Sequence, residues 1–246
     1  METNLNLKKI KYNFDNNGFI VLRNFFGKKK TLSMKKNLFS FLNQKKSRLK
    51  KREMHFAKNS KLINSIHHLK WPYIKKMKKN KKILKIVKTL LNDNIKSFGA
   101  EVFAKPPRVG MAVPIHQDNY FWNINNSKGL TVWIALDKCT KKNGALFYFT
   151  KSQLKGLLSH KPSFVPGTSQ VLKNMKILRR YKKITPQLNI GDLLIHHCLI
   201  VHGSNKNTST KSRVGLTMRF IGQSSKINKS AKKKYEKKLK KQLNSN

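Results

Sequence analysis

Residues 190–221 read IGDLLIHHCLIVHGSNKNTSTKSRVGLTMRFI, and this stretch decides the fold. A Gly191-Asp192 turn leads into a predicted strand, Asp192–His196. His202-Gly203-Ser204 follows, then a polar loop over Ser204–Thr210, and Arg213 opens a second apolar strand, Val214–Ile221. Short strands separated by polar turns belong to a β-sandwich or barrel of jelly-roll type.

The same pattern extends upstream to about Gly99. Glu101–Lys105, Thr131–Leu136 and Ala145–Phe149 read as further strands. Pro106-Pro107, Asn125-Asn126, Asn143-Gly144 and Pro166-Gly167 punctuate them. Before Gly99 the signal changes. Asp15-Asn16-Asn17-Gly18 reads as a turn before a short strand, Phe19–Arg23. Residues 28–98 are lysine-rich, with Leu38, Phe41 and Leu42 on one helical stripe and Ile83, Ile86, Val87, Leu90 and Leu91 on another. Trp71-Pro72 separates the two. The expectation is one domain over 1–225, mainly β with flanking helices: a helical part at about 28–98 and a β core at about 99–222. Residues 226–246 form a basic tail. Tyr235, Leu239 and Leu243 fall at helical spacing there, but a solvated tail is the reading adopted.

Lys plus Arg number 55 against 9 acidic residues, a formal charge of +46. Such a field attracts polyanions. Of the 55, 47 are Lys, beside 25 Asn, the skew an A/T-rich coding background produces. The lysines are spread along the chain instead of forming one stripe, and Arg is scarce, so nucleic-acid binding is not the expected main function. No run approaches the length of a membrane span. The N-terminus lacks an apolar leader and two cysteines make no disulfide framework, so a cytoplasmic protein is expected.

Pro114-Ile115-His116-Gln117-Asp118 carries the chemistry. In a strand, residues two apart share a side, so His116 and Asp118 would aim an imidazole and a carboxylate at one point. His202 offers a third ligand. Two histidines and one carboxylate on one face of Fe(II) leave three positions open for a bidentate co-substrate and O₂. Arg213 suits a distal carboxylate, with Ser204 as a hydroxyl donor beside it. His196 and His197 are adjacent and face opposite sides of a strand, so either supports the site or the fold instead of ligating. His55, His67, His68 and His160 default to structure. Tyr120, Trp122 and Trp133 read as core before pocket wall.

FDNNGFIVLRNFF, FAKPPRVGMAVPIHQDNYFW, LTVWIALDKCTKKNGALFYF and HHCLIVHGSNKNTSTKSR, in that order, resemble the phytanoyl-CoA dioxygenase family. The resemblance runs from about Tyr12 to Ile221. It implies a double-stranded β-helix core wrapped by N-terminal helices, with iron at His116, Asp118 and His202. It further implies 2-oxoglutarate held by Arg213 with help from Ser204, and Lys105 near the pocket. The implied activity is oxidation of a small molecule by O₂ with release of succinate and CO₂, and the Asp118 carboxylate favours hydroxylation. The sequence departs from the family at Thr150-Lys151-Ser152-Gln153, where Gly-Ser-His is common. The competing reading is a metal-containing jelly roll that recognises polyanions through its lysines.

Overall fold

Leu7–Asn17 form a helix, α1, that runs into the Asp15-Asn16-Asn17-Gly18 stretch read as a turn. The Asn6 side chain caps it, accepting from the Lys9 amide at 3.0 Å, and Lys11 pairs with Asp15 one turn on at 2.6 Å. The expected turn is the C-cap of this helix. Gly18 is left-handed (φ 78°) and its N–H donates to the Phe14 carbonyl at 2.7 Å.

β1 (Phe19–Leu22), α2 (Lys28–Lys45), β2 (Met54–Phe56), β3 (Ile63–Ile66), α3 (Tyr73–Lys78) and α4 (Lys81–Leu91) follow. The β2–β3 hairpin departs from the helical reading of residues 28–98. Its strands are short and carry few apolar residues, and β3 forms by pairing onto a strand far along the chain, Ser65 opposite Phe103. The remaining elements are β4 (Ile95–Lys105), β5 (Val113–His116), α5 (Asn119–Trp122), β6 (Gly129–Ala135), β7 (Leu146–Phe149), β8 (His160–Val165), β9 (Thr168–Leu172), β10 (Lys183–Ile184), β11 (Leu193–His197), β12 (His202–Ser204), β13 (Arg213–Gly222) and α6 (Lys229–Asn244). The computed structural model describes residues 6–45, 53–57, 59–165 and 167–244. Pro166 of the expected Pro166-Gly167 turn lies outside them.

A seven-stranded sheet in the order β1-β11-β6-β13-β4-β3-β2 faces a four-stranded sheet, β10-β7-β12-β5, with β8 and β9 as a separate hairpin. The pairings are antiparallel. This is the expected double-stranded β-helix. The period-2 alternation of β6 shows how the layers divide. Leu130, Val132 and Ile134 point outward into a core shared with Leu38, Leu42, Ile83, Ile86 and Val87 of α2 and α4. Trp133 and Ala135 point inward, where they meet Tyr148, Leu194 and Ile200. Every residue of β6 is buried because both faces are covered. Asn80 caps α4, accepting from the Ile83 amide at 3.0 Å, and five of the helix's apolar side chains are buried. Each contributes roughly 1.5–3 kcal/mol of apolar burial.

The basic tail is the other correction. Residues 229–244 form α6, and Tyr235 docks it on the body: its ring stands edge-on to Tyr120 (6.1 Å) and Phe121 (5.9 Å), and its hydroxyl lies 3.1 Å from Ser169 Oγ. One aromatic anchor on a lysine-rich segment is a weak signal in sequence, and the helix owes its place to that contact. No helix among the described residues is long and apolar enough to cross a membrane.

Candidate active site

Adjacent strands of the four-stranded sheet bring His116 and His202 together. β12 pairs with β5 so that these residues are directly opposite, with ring centroids 4.3 Å apart. Each ring is turned the same way. His116 Nδ1 donates to the Pro114 carbonyl at 2.7 Å, and His202 Nδ1 donates to the Ile200 carbonyl at 3.0 Å. A carbonyl only accepts, so Nδ1 carries a proton on both rings, and Nε2 is the nitrogen of each ring turned to the Asp118 carboxylate. Burial, then the neighbouring His116 and His196, hold His202 well below the usual imidazole range, which keeps it neutral.

Asp118 completes the group by a different route from the strand alternation read in sequence. β5 ends at His116, and Asp118 heads the short helix α5, so a turn of backbone, not a shared strand face, swings its carboxylate inward. Its Oδ1 faces His116 Nε2 at 3.5 Å and His202 Nε2 at 3.8 Å. Its Oδ2 is anchored: Thr131 Oγ1 donates to it at 2.7 Å and His196 Nε2 at 3.0 Å. His196 Nδ1 then accepts from the Tyr148 hydroxyl at 3.0 Å. Burial alone would raise the Asp118 carboxyl, but His116 and His196 outweigh it and hold it well below the usual range. One oxygen is fixed and the other is offered. The ligand atoms of His116, Asp118 and His202 lie within 4.8 Å of one another, and two imidazoles with one carboxylate suit Fe(II).

Further into the barrel lies a second feature. Arg213 on β13 stands opposite Lys105 on β4. Arg213 is buried and spends its donors on backbone: Nε and Nη2 donate to the Gly144 carbonyl at 3.1 and 2.8 Å, and its guanidinium stands 5.5 Å from the Trp133 ring. A side chain at Gly215 would collide with that indole, so glycine there makes room for the stack. Lys105 Nζ donates to the Asn205 carbonyl at 2.5 Å. Burial first, and then the Arg213 charge, bring Lys105 down to about 6. Neither cation has a carboxylate partner among the described residues. Ser204 Oγ is buried with no hydrogen-bond partner. A buried guanidinium, an amine that an arriving anion would protonate and an unmet hydroxyl make a place for an anion.

All six residues singled out in sequence line this interior: three form the triad and three the cationic end. Trp122 is core, Trp133 backs Arg213, and Tyr120 stacks on His160 at 4.3 Å. The divergent Thr150–Gln153 segment serves the fold. Ser152 Oγ accepts from the Val201 amide at 2.8 Å, and Gln153 Nε2 donates to the Asp15 carbonyl at 2.8 Å. Thr131, Tyr148 and Gln117 escaped the sequence reading. Gln117 ties the loops around the triad, donating to the Leu199 carbonyl at 2.6 Å and accepting from the Leu158 amide at 2.7 Å. Only the strand register, which pairs Thr131 with His196, would have pointed to Thr131.

The likeness to known proteins follows the same lines. The chain is 31% identical over 175 residues to the phytanoyl-CoA dioxygenase domain-containing protein 1 homolog of Caenorhabditis briggsae, covering 65% of this chain and 59% of that one. It is 26% identical to a probable alpha-ketoglutarate-dependent hypophosphite dioxygenase of Stutzerimonas stutzeri, covering 64% and 56%. The chain thus spans less than two thirds of the length of these curated relatives. Among solved structures, the carbocyclase SnoK from nogalamycin biosynthesis superposes with a TM-score of 0.74 at 16% identity, covering 91% of this chain and 87% of that one. EctD from S. alaskensis gives 0.74 at 19% identity, covering 89% and 77%. These show the shared fold. The family model for phytanoyl-CoA dioxygenase matches residues 14–215, most of the sequence, and the chain belongs to that family.

Proposed function

We propose that the protein is an Fe(II)- and 2-oxoglutarate-dependent dioxygenase that hydroxylates a small organic molecule. One observation carries this reading: two imidazoles, each held through Nδ1 by a backbone carbonyl, converge with one carboxylate, near a buried arginine that has no ion-pair partner among the described residues. The S. stutzeri relative is named for alpha-ketoglutarate dependence, and the EctD structure holds 2-oxoglutarate and 5-hydroxyectoine.

His116, Asp118 and His202 would hold the iron, and Arg213, Ser204 and Lys105 the distal carboxylate of 2-oxoglutarate. Iron and co-substrate together would supply oxidation of a substrate C–H bond coupled to release of succinate and CO₂. The rest is the work of the chain. Thr131 and His196 keep Asp118 Oδ2 occupied, so that Oδ1 alone turns toward the histidines. The Pro114 and Ile200 carbonyls hold the two rings in the ligating tautomer. Phe121 stands edge-on to His116 at 5.4 Å and covers that flank of the ring.

Purified protein given Fe(II), 2-oxoglutarate and air should form succinate, slowly even without substrate. His116→Ala and Asp118→Ala should each lose iron retention and succinate formation together, while Arg213→Ala should raise the apparent 2-oxoglutarate KM by roughly 10- to 100-fold. Succinate measured after equal iron loading decides it: turnover undiminished in His116→Ala would refute the assignment.

A further inference from the structure

A lysine buried beside an arginine, with no acid to share, is a poor place for a proton. Lys105 on β4 is buried and stands directly opposite Arg213 on β13. A guanidinium stays charged in a folded protein. A second charge on the neighbouring amine would be both stripped of water and repelled. Neither side chain has an ion-pair partner among the described residues. Burial first, and Arg213 second, bring the amine down to about 6, so at neutral pH it is unprotonated. An unprotonated, desolvated lysine next to another cation is a nucleophile.

The groups around that amine are donors in want of an anion. Lys105 Nζ donates to the Asn205 carbonyl at 2.5 Å, which leaves its lone pair uncommitted. Ser204, the residue before Asn205, carries a buried hydroxyl with no hydrogen-bond partner. Arg213 Nη1 makes a single long contact, 3.4 Å to the Phe103 carbonyl. Glycine at 144 keeps space at the amine, since a Cβ there would fall 2.8 Å from Lys105 Cδ and 3.3 Å from Nζ. A negative group attached to Nζ would meet the guanidinium and the hydroxyl, and would turn an uncompensated cation into an ion pair.

Carbon dioxide is an electrophile small enough to enter a closed interior, and it leaves an anion where it adds. The lysine nitrogen attacks its carbon, an N–C bond forms, and the electrons of one C=O π-bond pass to oxygen. The amine gives a proton to solvent, and nothing is oxidised or reduced. We infer that Lys105 is a carbon dioxide-binding residue, whose amine reversibly forms a carbamate held by Arg213 and Ser204 in the place proposed for the distal carboxylate of 2-oxoglutarate. The carbamate and 2-oxoglutarate exclude each other, so dissolved CO₂, a product of the proposed reaction, holds the protein back. The adduct depends only on groups of this chain, while its competition with 2-oxoglutarate rests on the oxygenase reading above.

The test incubates the full chain with isotope-labelled bicarbonate, caps any carbamate with triethyloxonium ion, and reads the digest by mass spectrometry. Lys105 should carry a labelled ethoxycarbonyl group, and the exposed Lys141 in the same digest should not. Ser204→Ala should lower the trapped fraction severalfold, by removing one donor to the carbamate. Excess 2-oxoglutarate with Fe(II) and no oxygen should abolish the label. In turnover, bicarbonate should raise the apparent 2-oxoglutarate KM about twofold or more at unchanged kcat, relative to equal chloride. Lys105→Met should lose that sensitivity. The inference is overturned if Lys105 stays unlabelled, if Lys141 is labelled as heavily, if the label survives 2-oxoglutarate that calorimetry shows to be bound, or if bicarbonate raises KM with no trapped group. Trapping on the parent needs neither iron nor turnover, so it decides even where a variant fails to fold. Failure of 2-oxoglutarate to bind the iron-loaded parent would instead count against the oxygenase reading, with the adduct still judged by its label.

Discussion

Lys105 is buried opposite Arg213, with no ion-pair partner among the described residues. The cost has a pH signature. In the unfolded chain a lysine keeps its proton up to about pH 10.4, whereas folded Lys105 releases it at about 6. Between those values the unfolded chain binds more protons, so this residue makes stability rise with pH. Lys105→Met should therefore raise the melting temperature at pH 7, by a gain on the order of a few kcal/mol that shrinks toward pH 10. Melts at the two pH values check this, and equal gains would tell against a neutral buried lysine. Parent protein should also take up a proton when 2-oxoglutarate arrives, seen as binding heats that vary with the buffer. At this scale the sequence was most legible. His116, Asp118, His202 and Arg213 stand within short recognisable stretches, and the chemistry of their side chains limits what they can do. Thr131 and Tyr148 were not legible, because each owes its meaning to a partner brought by strand pairing from far along the chain.

Elements follow the same division. The apolar stripe of α4 and the alternation in β6 and β13 announce themselves, since each buries a continuous face. α1 hides behind its own cap, and the β2–β3 hairpin exists because β4 offers an edge to pair with. α6 depends on Tyr235 reaching α5. Ending the chain at residue 228 should leave iron retention within about threefold, because α6 carries none of the ligand residues, while lowering stability by about 1–2 kcal/mol through the lost aromatic contacts. Thermal melts with parallel iron titrations test this. Abolished iron retention would mean that the helix holds Asp118 in place through α5.

Charge belongs to the whole molecule. Only 9 acidic residues offset 55 basic ones, and several of the acids sit in ion pairs that stitch distant segments together, Arg23–Asp192 and Lys35–Asp137 among them. Self-repulsion among the remaining lysines should destabilise the fold at low ionic strength. Raising NaCl from 0.02 to about 0.5 M, where the Debye length falls from tens of ångströms to a few, should raise the melting temperature. A flat or falling dependence would show that the lysines lie too far apart to repel. Retention on DNA should disappear over the same salt range without regard to sequence, the behaviour of a diffuse field and not of a reading surface.

β1 pairs with β11, Phe19 opposite His196. A strand made early in synthesis must wait, unmatched, until residues 193–197 emerge, and His196 is the residue that steadies Asp118. Assembly of the iron-binding pocket is thereby tied to a late, long-distance closure, so truncated translation products would carry the His-x-Asp segment without a frame to use it. Slow maturation, and a need for protection of that waiting edge in the cell, are built into the order of the strands.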